Sequence, residues 1–115
     1  MTRLAAARAM TEAELQEQVR VMCAQLGLFH YHPHYSQRST PGWPDSVIIG
    51  ARVLFRELKS EQGTLTAEQR DVGERLTRAG QDWAVWRPRD LLNGTVGRQL
   101  AAAAVQPALW EGTPP

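Results

Sequence analysis

Asp45, Glu57 and Lys59 are the residues of this sequence whose types and spacing could together do chemistry. Residues 46–49 and 53–59 have the composition of two short strands, and the three residues between them are few enough to form an antiparallel hairpin. In a hairpin the start of one strand lies beside the end of the next. We therefore expect Asp45 and Glu57 to present neighbouring carboxylates, with Lys59 on the same strand face as Glu57.

Two neighbouring carboxylates repel each other unless a cation neutralises them, and a hard divalent metal ion is suited to that position. A lysine beside the metal ion can orient the attacking water and offset the charge that develops on a phosphate. A surface hairpin with an ordinary Glu-Lys pair near an unrelated aspartate is the alternative that the pattern leaves open.

The remaining segments predict an α/β domain with a mixed sheet. Two Thr-x-x-Glu/Gln sequences, at Thr11 and at Thr66, are typical of capped helix starts, and Gly27 and Gly80 are suited to end those helices. The other predicted elements are strands at 29–32 and 82–86 and a helix over 90–104. We expect a loose segment at 1–10, one domain at 11–105 and a flexible tail at 106–115.

The composition restricts the possible functions. The chain is 43% hydrophobic and 22% charged, as in soluble proteins, and its net charge of +1 requires any nucleic-acid binding to use a local patch. Cys23 is a single cysteine and cannot form an internal disulfide, which favours a reducing cytoplasm. No apolar run approaches the roughly 20 residues that span a bilayer, so we expect no membrane association.

Four ordered motifs between Thr11 and Asp90 resemble the VRR-NUC family, the virus-type replication-repair nucleases of the PD-(D/E)XK nuclease superfamily. The motifs are Ser36-Gln37-Arg38-Ser39-Thr40-Pro41-Gly42-Trp43-Pro44-Asp45, Leu54-Phe55-Arg56-Glu57-Leu58-Lys59, Gly63-Thr64-Leu65-Thr66-Ala67-Glu68-Gln69 and Val85-Trp86-Arg87-Pro88-Arg89-Asp90. The resemblance implies a single-domain restriction-endonuclease-like core, in which helices flank a mixed β-sheet.

The resemblance also implies a role for each motif residue. Asp45 and Glu57 would hold Mg²⁺, or Mn²⁺ as a substitute, and the backbone carbonyl of Leu58 would complete the set of ligands. Lys59 would act on the water. Gln69 matches a family position near the active site, although a capping box explains this residue equally well.

Members of the family carry a further acidic residue on the first helix, where this chain has three glutamates. Glu12 lies on the helix stripe that continues through Leu15, and we therefore assign it as a metal ligand. Glu14 already has a capping role, and Glu17 lies off the stripe. A carboxylate that stabilises a helix start is the alternative for Glu12.

The residues expected to contact nucleic acid flank these motifs, because arginine binds phosphate well. They are Arg38, Ser39, Arg56, Arg87 and Arg89. Three alternating histidines, His30, His32 and His34, could share a strand face; with no cysteine or acidic partner close in sequence, zinc is disfavoured against substrate contact or packing.

By the resemblance we expect a Mg²⁺-dependent endodeoxyribonuclease that cuts branched DNA as Holliday-junction resolvases do, in DNA repair or recombination. Such an enzyme would act as a homodimer in the cytoplasm of a bacterial cell or a phage-infected host. A flap or restriction-like endonuclease and a non-catalytic DNA-binding module with the same fold are the alternatives.

Overall fold

A computed structural model describes residues 2–33 and 40–105, which form five helices and four strands. The elements in chain order are α1 (Arg3–Ala9), α2 (Glu12–Gln25), β1 (Phe29–Tyr31), β2 (Ser46–Ile49), β3 (Val53–Leu58), α3 (Ala67–Arg78), β4 (Asp82–Trp86), α4 (Pro88–Leu92) and α5 (Thr95–Ala104). Within these residues, none of the helices has the length and apolarity needed to cross a membrane.

The strands form one mixed sheet in the order β1-β2-β3-β4. β2 pairs antiparallel with both β1 and β3, whereas β3 and β4 are parallel and are connected through α3. The predicted hairpin is confirmed, with Ser46 opposite Arg56 and Ile49 opposite Val53. Because Ser46 is paired with Arg56, Asp45, which directly precedes β2, lies beside Glu57, the next residue of β3.

One face of the sheet forms the hydrophobic core with α2 and α5. Ile48 and Leu54 are opposite each other in β2 and β3, and Leu58 is opposite Trp86 in β3 and β4, so these four side chains share a face. They pack against buried residues of the two helices, namely Leu15, Val19, Cys23, Val96, Leu100 and Ala103. The helix α3 contacts β4, where Gly73 leaves room for the indole ring of Trp83.

Both predicted capping boxes are present and fix where their helices begin. Thr11 accepts a hydrogen bond from the backbone of Glu14, and Thr66 accepts one from the backbone of Gln69. In each case the glutamate or glutamine side chain reaches back to the threonine N–H. These starts therefore follow from local chemistry in the sequence.

Two sequence expectations are corrected by the structure. Residues 3–9 form a helix capped by Thr2 and contacting α4, where a loose segment was expected. The single helix expected over 90–104 is two helices, because Gly94 adopts a φ of 88° that interrupts the regular backbone. The tail expected at 106–115 lies outside the described residues.

Candidate active site

Asp45 is fixed in place from two sides at the start of β2. Its Oδ2 accepts a hydrogen bond of 2.9 Å from the backbone N–H of Leu58, which extends the β2–β3 hairpin by a side-chain contact. Its backbone carbonyl lies 2.7 Å from Nδ1 of His32. The carboxylate is only 7% exposed, so its position is determined by these contacts and not by solvent.

The loop before Asp45 is held against the sheet and against α3. The Trp43 ring meets the Phe55 ring edge-to-face, with centroids 6.0 Å apart. Gly42 has a φ of 89°, and a Cβ at this position would lie 2.3 Å from the backbone oxygen of Glu68. This close approach requires glycine and joins the loop to the first turn of α3.

Glu57 is buried on β3 with a relative exposure of 1%. Its Oε1 accepts a hydrogen bond of 3.0 Å from Nε2 of Gln69, while its Oε2 is buried and receives no hydrogen bond from an N–H group. Burial raises the pKa of this carboxyl well above its usual range, and a hydrogen bond to Asp45 and the negative charge of Asp45 act in the same direction. The two carboxyl groups are therefore neighbours, as the hairpin predicted.

Lys59 contributes the positive charge of the cluster. It follows β3 directly, is 9% exposed, and donates its backbone N–H to Trp86 at 3.1 Å. Its charge lowers the pKa of both Glu57 and Glu12, partly opposing the effect of burial. Lys59 therefore lies within electrostatic reach of both carboxyl groups.

Gln69 takes part in the capping box and in the site at once. Its Oε1 accepts the N–H of Thr66 at 2.9 Å, and its Nε2 donates to Glu57. The two explanations that the sequence left open are thus compatible, because the amide has an acceptor and a donor end. Through this one side chain, the start of α3 is connected to the buried carboxyl of β3.

Glu12 lies at the exposed edge of the cluster, in the first turn of α2. Its pKa is raised by partial burial and by the negative charge of Asp45. Glu14 forms the capping box, and Glu17 pairs with Arg20 on another part of the helix. Of the three glutamates, Glu12 is the one whose electrostatic partners include Asp45 and Lys59.

The donor set fits a hard divalent cation at two carboxylates. Glu57 and Asp45 place two buried carboxyl groups side by side, and carboxylate oxygens are the ligands that such a cation prefers. Within residues 2–33 and 40–105, no three His, Cys, Asp or Glu side chains are arranged closely enough to hold a metal ion. A cation here would thus rely on Asp45, Glu57 and a backbone oxygen such as that of Leu58, with Glu12 outside the inner set.

The prediction that Arg56 contacts nucleic acid is wrong. Its side chain is 2% exposed and lies over the Trp86 ring, 5.0 Å from the centroid. It donates hydrogen bonds to the backbone carbonyl of Asp82 and the side chain of Gln99, and pairs with the Asp82 carboxylate at 2.9 Å. Arg56 is a buried structural cation that cannot reach a phosphate outside the protein.

The other predicted phosphate contacts have internal partners or fall outside the described residues. Nη1 of Arg87 donates to the carbonyls of Ser60 and Gly63, both at 2.7 Å. Arg89 pairs with Glu61 at 2.9 Å through its guanidinium, and its backbone N–H bonds to the same carboxylate. Arg38 and Ser39 lie outside the described part of the chain.

His32 is a site residue that the sequence reasoning did not assign to Asp45. The contact depends on β1 pairing with β2, which places residues 13 positions apart in the sequence side by side. The alternating histidines were the available signal. His30 hydrogen-bonds Ser46 at 2.9 Å, and His34 lies outside the described residues.

The fold has a solved counterpart. A structure titled "VRR_NUC domain" superposes with a TM-score of 0.64 at 24% sequence identity, covering 77% of this chain and 97% of the other. The chain has the fold of a VRR_NUC domain. No protein-family model and no curated protein sequence matches it.

The VRR_NUC fold and the side-chain cluster are independent observations. The fold follows from superposition of the backbone, whereas the proximity of Asp45, Glu57, Lys59 and Gln69 follows from contacts within this chain. The four residues come from the motifs on which the sequence resemblance rested.

Proposed function

We propose that this protein is a divalent-metal-dependent nuclease that hydrolyses phosphodiester bonds in DNA. The observation that supports the proposal most strongly is the buried carboxyl of Glu57, which lies against the carboxyl of Asp45 and within electrostatic reach of Lys59. Perturbed ionisable groups that cluster in this way are typical of catalytic sites. The VRR_NUC fold agrees with this chemistry.

In the proposed site, Asp45, Glu57 and the carbonyl of Leu58 hold Mg²⁺, with Mn²⁺ as a substitute. A hard cation there neutralises the carboxylates and polarises an oxygen of the scissile phosphate. Glu12 adds negative charge at the edge of the site, within reach of water that surrounds the cation. A bound cation would account for the proximity of Asp45, Glu57 and Glu12. An ion pair between Glu57 and Lys59 alone would not explain it.

The protein residues act on the phosphate, the attacking water and the carboxylates. The Lys59 ammonium orients the water and offsets the negative charge that grows on the phosphate in the transition state. Gln69 fixes the rotamer of Glu57 through Oε1, so that Oε2 stays directed into the site. His32 and the Leu58 N–H hold Asp45 from opposite ends.

For the substrate, we propose branched DNA, and four-way junctions in particular, processed by a homodimer during DNA repair or recombination. A four-way junction has two-fold symmetry and needs paired cuts, so a C₂ dimer with one site per subunit is a direct solution. The near-neutral charge of +1 also makes a second subunit useful for binding a polyanion. Cytoplasmic action fits the single buried cysteine.

A cleavage assay on linear, flapped and four-way DNA with Mg²⁺, Mn²⁺ or EDTA tests the proposal. We expect metal-dependent cutting that is fastest on the four-way substrate and absent in Asp45→Asn. Preferential cutting of the flapped or linear DNA would instead identify a flap or restriction-like endonuclease. Absence of cutting on all three, with retained binding, would identify a non-catalytic DNA-binding module.

A further inference from the structure

An open groove of about 500 Å³ lies between α2 and β1. Its helix side includes Gln16 and Arg20, and its strand side includes His30 and His32. Its apolar lining residues are Ala13, Ala24 and Leu28, and Glu17 adds a carboxylate. The groove therefore combines apolar surface with polar, basic and acidic groups.

The groove and the candidate site are connected through β1 and through α2. On the strand side, His32 lines the groove and contacts the carbonyl of Asp45 at 2.7 Å. On the helix side, Glu12, Gln16 and Arg20 recur every four residues, which places them on one stripe of α2. The groove therefore reaches the backbone of Asp45 through His32.

The basic groups of the groove are close enough to repel each other. The charges of His32 and Arg20 both lower the pKa of His30, after the larger effect of burial. Nε of Arg20 donates a hydrogen bond of 2.9 Å to the carboxylate of Glu17, but both side chains are 57% exposed. An ion pair this exposed contributes little, so a phosphate can replace the carboxylate at low cost.

We propose that this groove binds the sugar–phosphate backbone of the substrate strand next to the scissile position, with Arg20 as the main phosphate contact. The inference rests on the proposed nuclease function. It assigns a phosphate contact to Arg20, since the buried Arg56 cannot provide one. Arg20 follows Glu12 by eight residues, about 12 Å at 1.5 Å per residue. A phosphate at Arg20 is consequently a different phosphate of the same strand, and not the reacting one.

The other lining residues fit the same ligand. Gln16 offers an amide donor one helical turn closer to the site, and His30 and His32 offer imidazole groups on the facing wall. Sugar–phosphate contacts of this kind position a strand without reading its sequence. The apolar floor is suited to the deoxyribose ring.

Fluorescence anisotropy of a labelled DNA duplex in EDTA tests the proposal, because the metal-dependent nuclease does not cut under these conditions. We expect Arg20→Gln to weaken binding about tenfold and to reduce the salt slope of log K by about 1. Arg20→Lys should retain most of that slope, since it keeps the charge. Glu17→Gln should tighten binding, because it removes the carboxylate that competes for Arg20.

Arg75→Gln is the matched control. Arg75 is also an exposed helix arginine paired at 2.9 Å with a carboxylate, Asp71, but it lies on α3 away from the groove. Its binding constant should stay within about twofold of wild type. Equal losses in Arg20→Gln and Arg75→Gln would overturn the proposal, because they would indicate nonspecific charge attraction.

Cleavage by the same variants separates this inference from the function on which it rests. If wild-type protein cuts DNA with Mg²⁺ and Arg20→Gln binds and cuts as wild type does, the groove proposal is wrong and the nuclease remains. If wild-type protein neither binds nor cuts DNA, both proposals are wrong. A raised KM with little change in kcat in Arg20→Gln would support a binding role in the groove.

Discussion

Lys59 is the single lysine among 13 basic residues, and it is the one that lies beside the buried acidic pair. A lysine ammonium is a compact charge with rotatable donors, unlike the planar guanidinium of arginine. At the proposed site, such an ammonium can keep its hydrogen bonds to a water molecule and a phosphate oxygen while these move during the reaction.

We predict that Lys59→Met preserves the fold and Mn²⁺ binding but lowers the cleavage rate by a factor on the order of 10²–10³. Methionine keeps most of the side-chain volume at this buried position and removes only the charge. Single-turnover kinetics and circular dichroism of the same samples give the two readouts. Turnover equal to that of the wild type would show that the lysine has no part in the chemistry.

Gln69 allows the capping and site roles of one residue to be separated. Gln69→Met should slow cleavage about tenfold, because Glu57 loses the donor that fixes its rotamer. Thr66→Ala is the control, since it removes the cap and leaves the amide near Glu57. Both variants should lose about 1 kcal/mol of unfolding free energy in urea titrations.

The prediction for Gln69 fails if the two variants slow cleavage equally. That result would mean that the capping box, through the stability of α3, is what the reaction requires. A normal rate in Gln69→Met would contradict the role of its contact with Glu57.

The burial of Arg56 could not be predicted from the residues near it in the sequence. Strand alternation placed Arg56 on the same face as Leu54 and Leu58, which is the core face in the structure. Its charge nevertheless indicated a surface role. The partners that make burial possible, Asp82 and Gln99, are 26 and 43 residues away, and no local pattern connects them with Arg56.

At the scale of elements, the features encoded locally were predicted and those that depend on distant contacts were not. The hairpin and both capped helix starts were predicted, because turn length and capping chemistry act over a few residues. The break at Gly94 was missed, since the apolar spacing continues on both sides of it. The approach of His32 to Asp45 was missed, because it requires the pairing of β1 with β2.

The loop that carries Asp45 depends on Gly42, and this dependence is testable. Gly42→Ala should destabilise the protein by more than the roughly 1–2 kcal/mol that a left-handed backbone costs an alanine. The excess arises because the added Cβ would lie within 2.9 Å of three backbone atoms of Glu68 and Gln69. Urea denaturation measures the change, and cleavage should fall with it as the loop moves.

Gly27→Ala is the matched control for this prediction. Gly27 also has a positive φ, 70°, but a Cβ there would meet no atom within 4 Å. The difference between the two variants therefore isolates the packing of the loop on α3. Equal destabilisation would show that the backbone conformation alone matters and that the contact between loop and helix is not limiting.

At the scale of the whole molecule, we predict a homodimer that cuts four-way DNA symmetrically. Light scattering should give twice the 12.8 kDa mass of the chain at micromolar concentration. Nicks on the two opposing strands should be equivalent, and cutting should weaken steeply as salt rises. A monomer that cuts linear duplex as fast as junctions would contradict the junction-resolving role and leave the nuclease activity intact.

We expect Asp45 and Glu57 to form one divalent-cation site. Isothermal titration calorimetry with Mn²⁺, on wild-type protein and on Asp45→Asn and Glu57→Gln, tests it most directly. Asp71→Asn is the control, because Asp71 is an exposed carboxylate paired with Arg75 on α3. We expect saturable binding to the wild type and Asp71→Asn, and a loss of at least about tenfold in affinity in the two site variants. Equal Mn²⁺ affinity in all four proteins would contradict it.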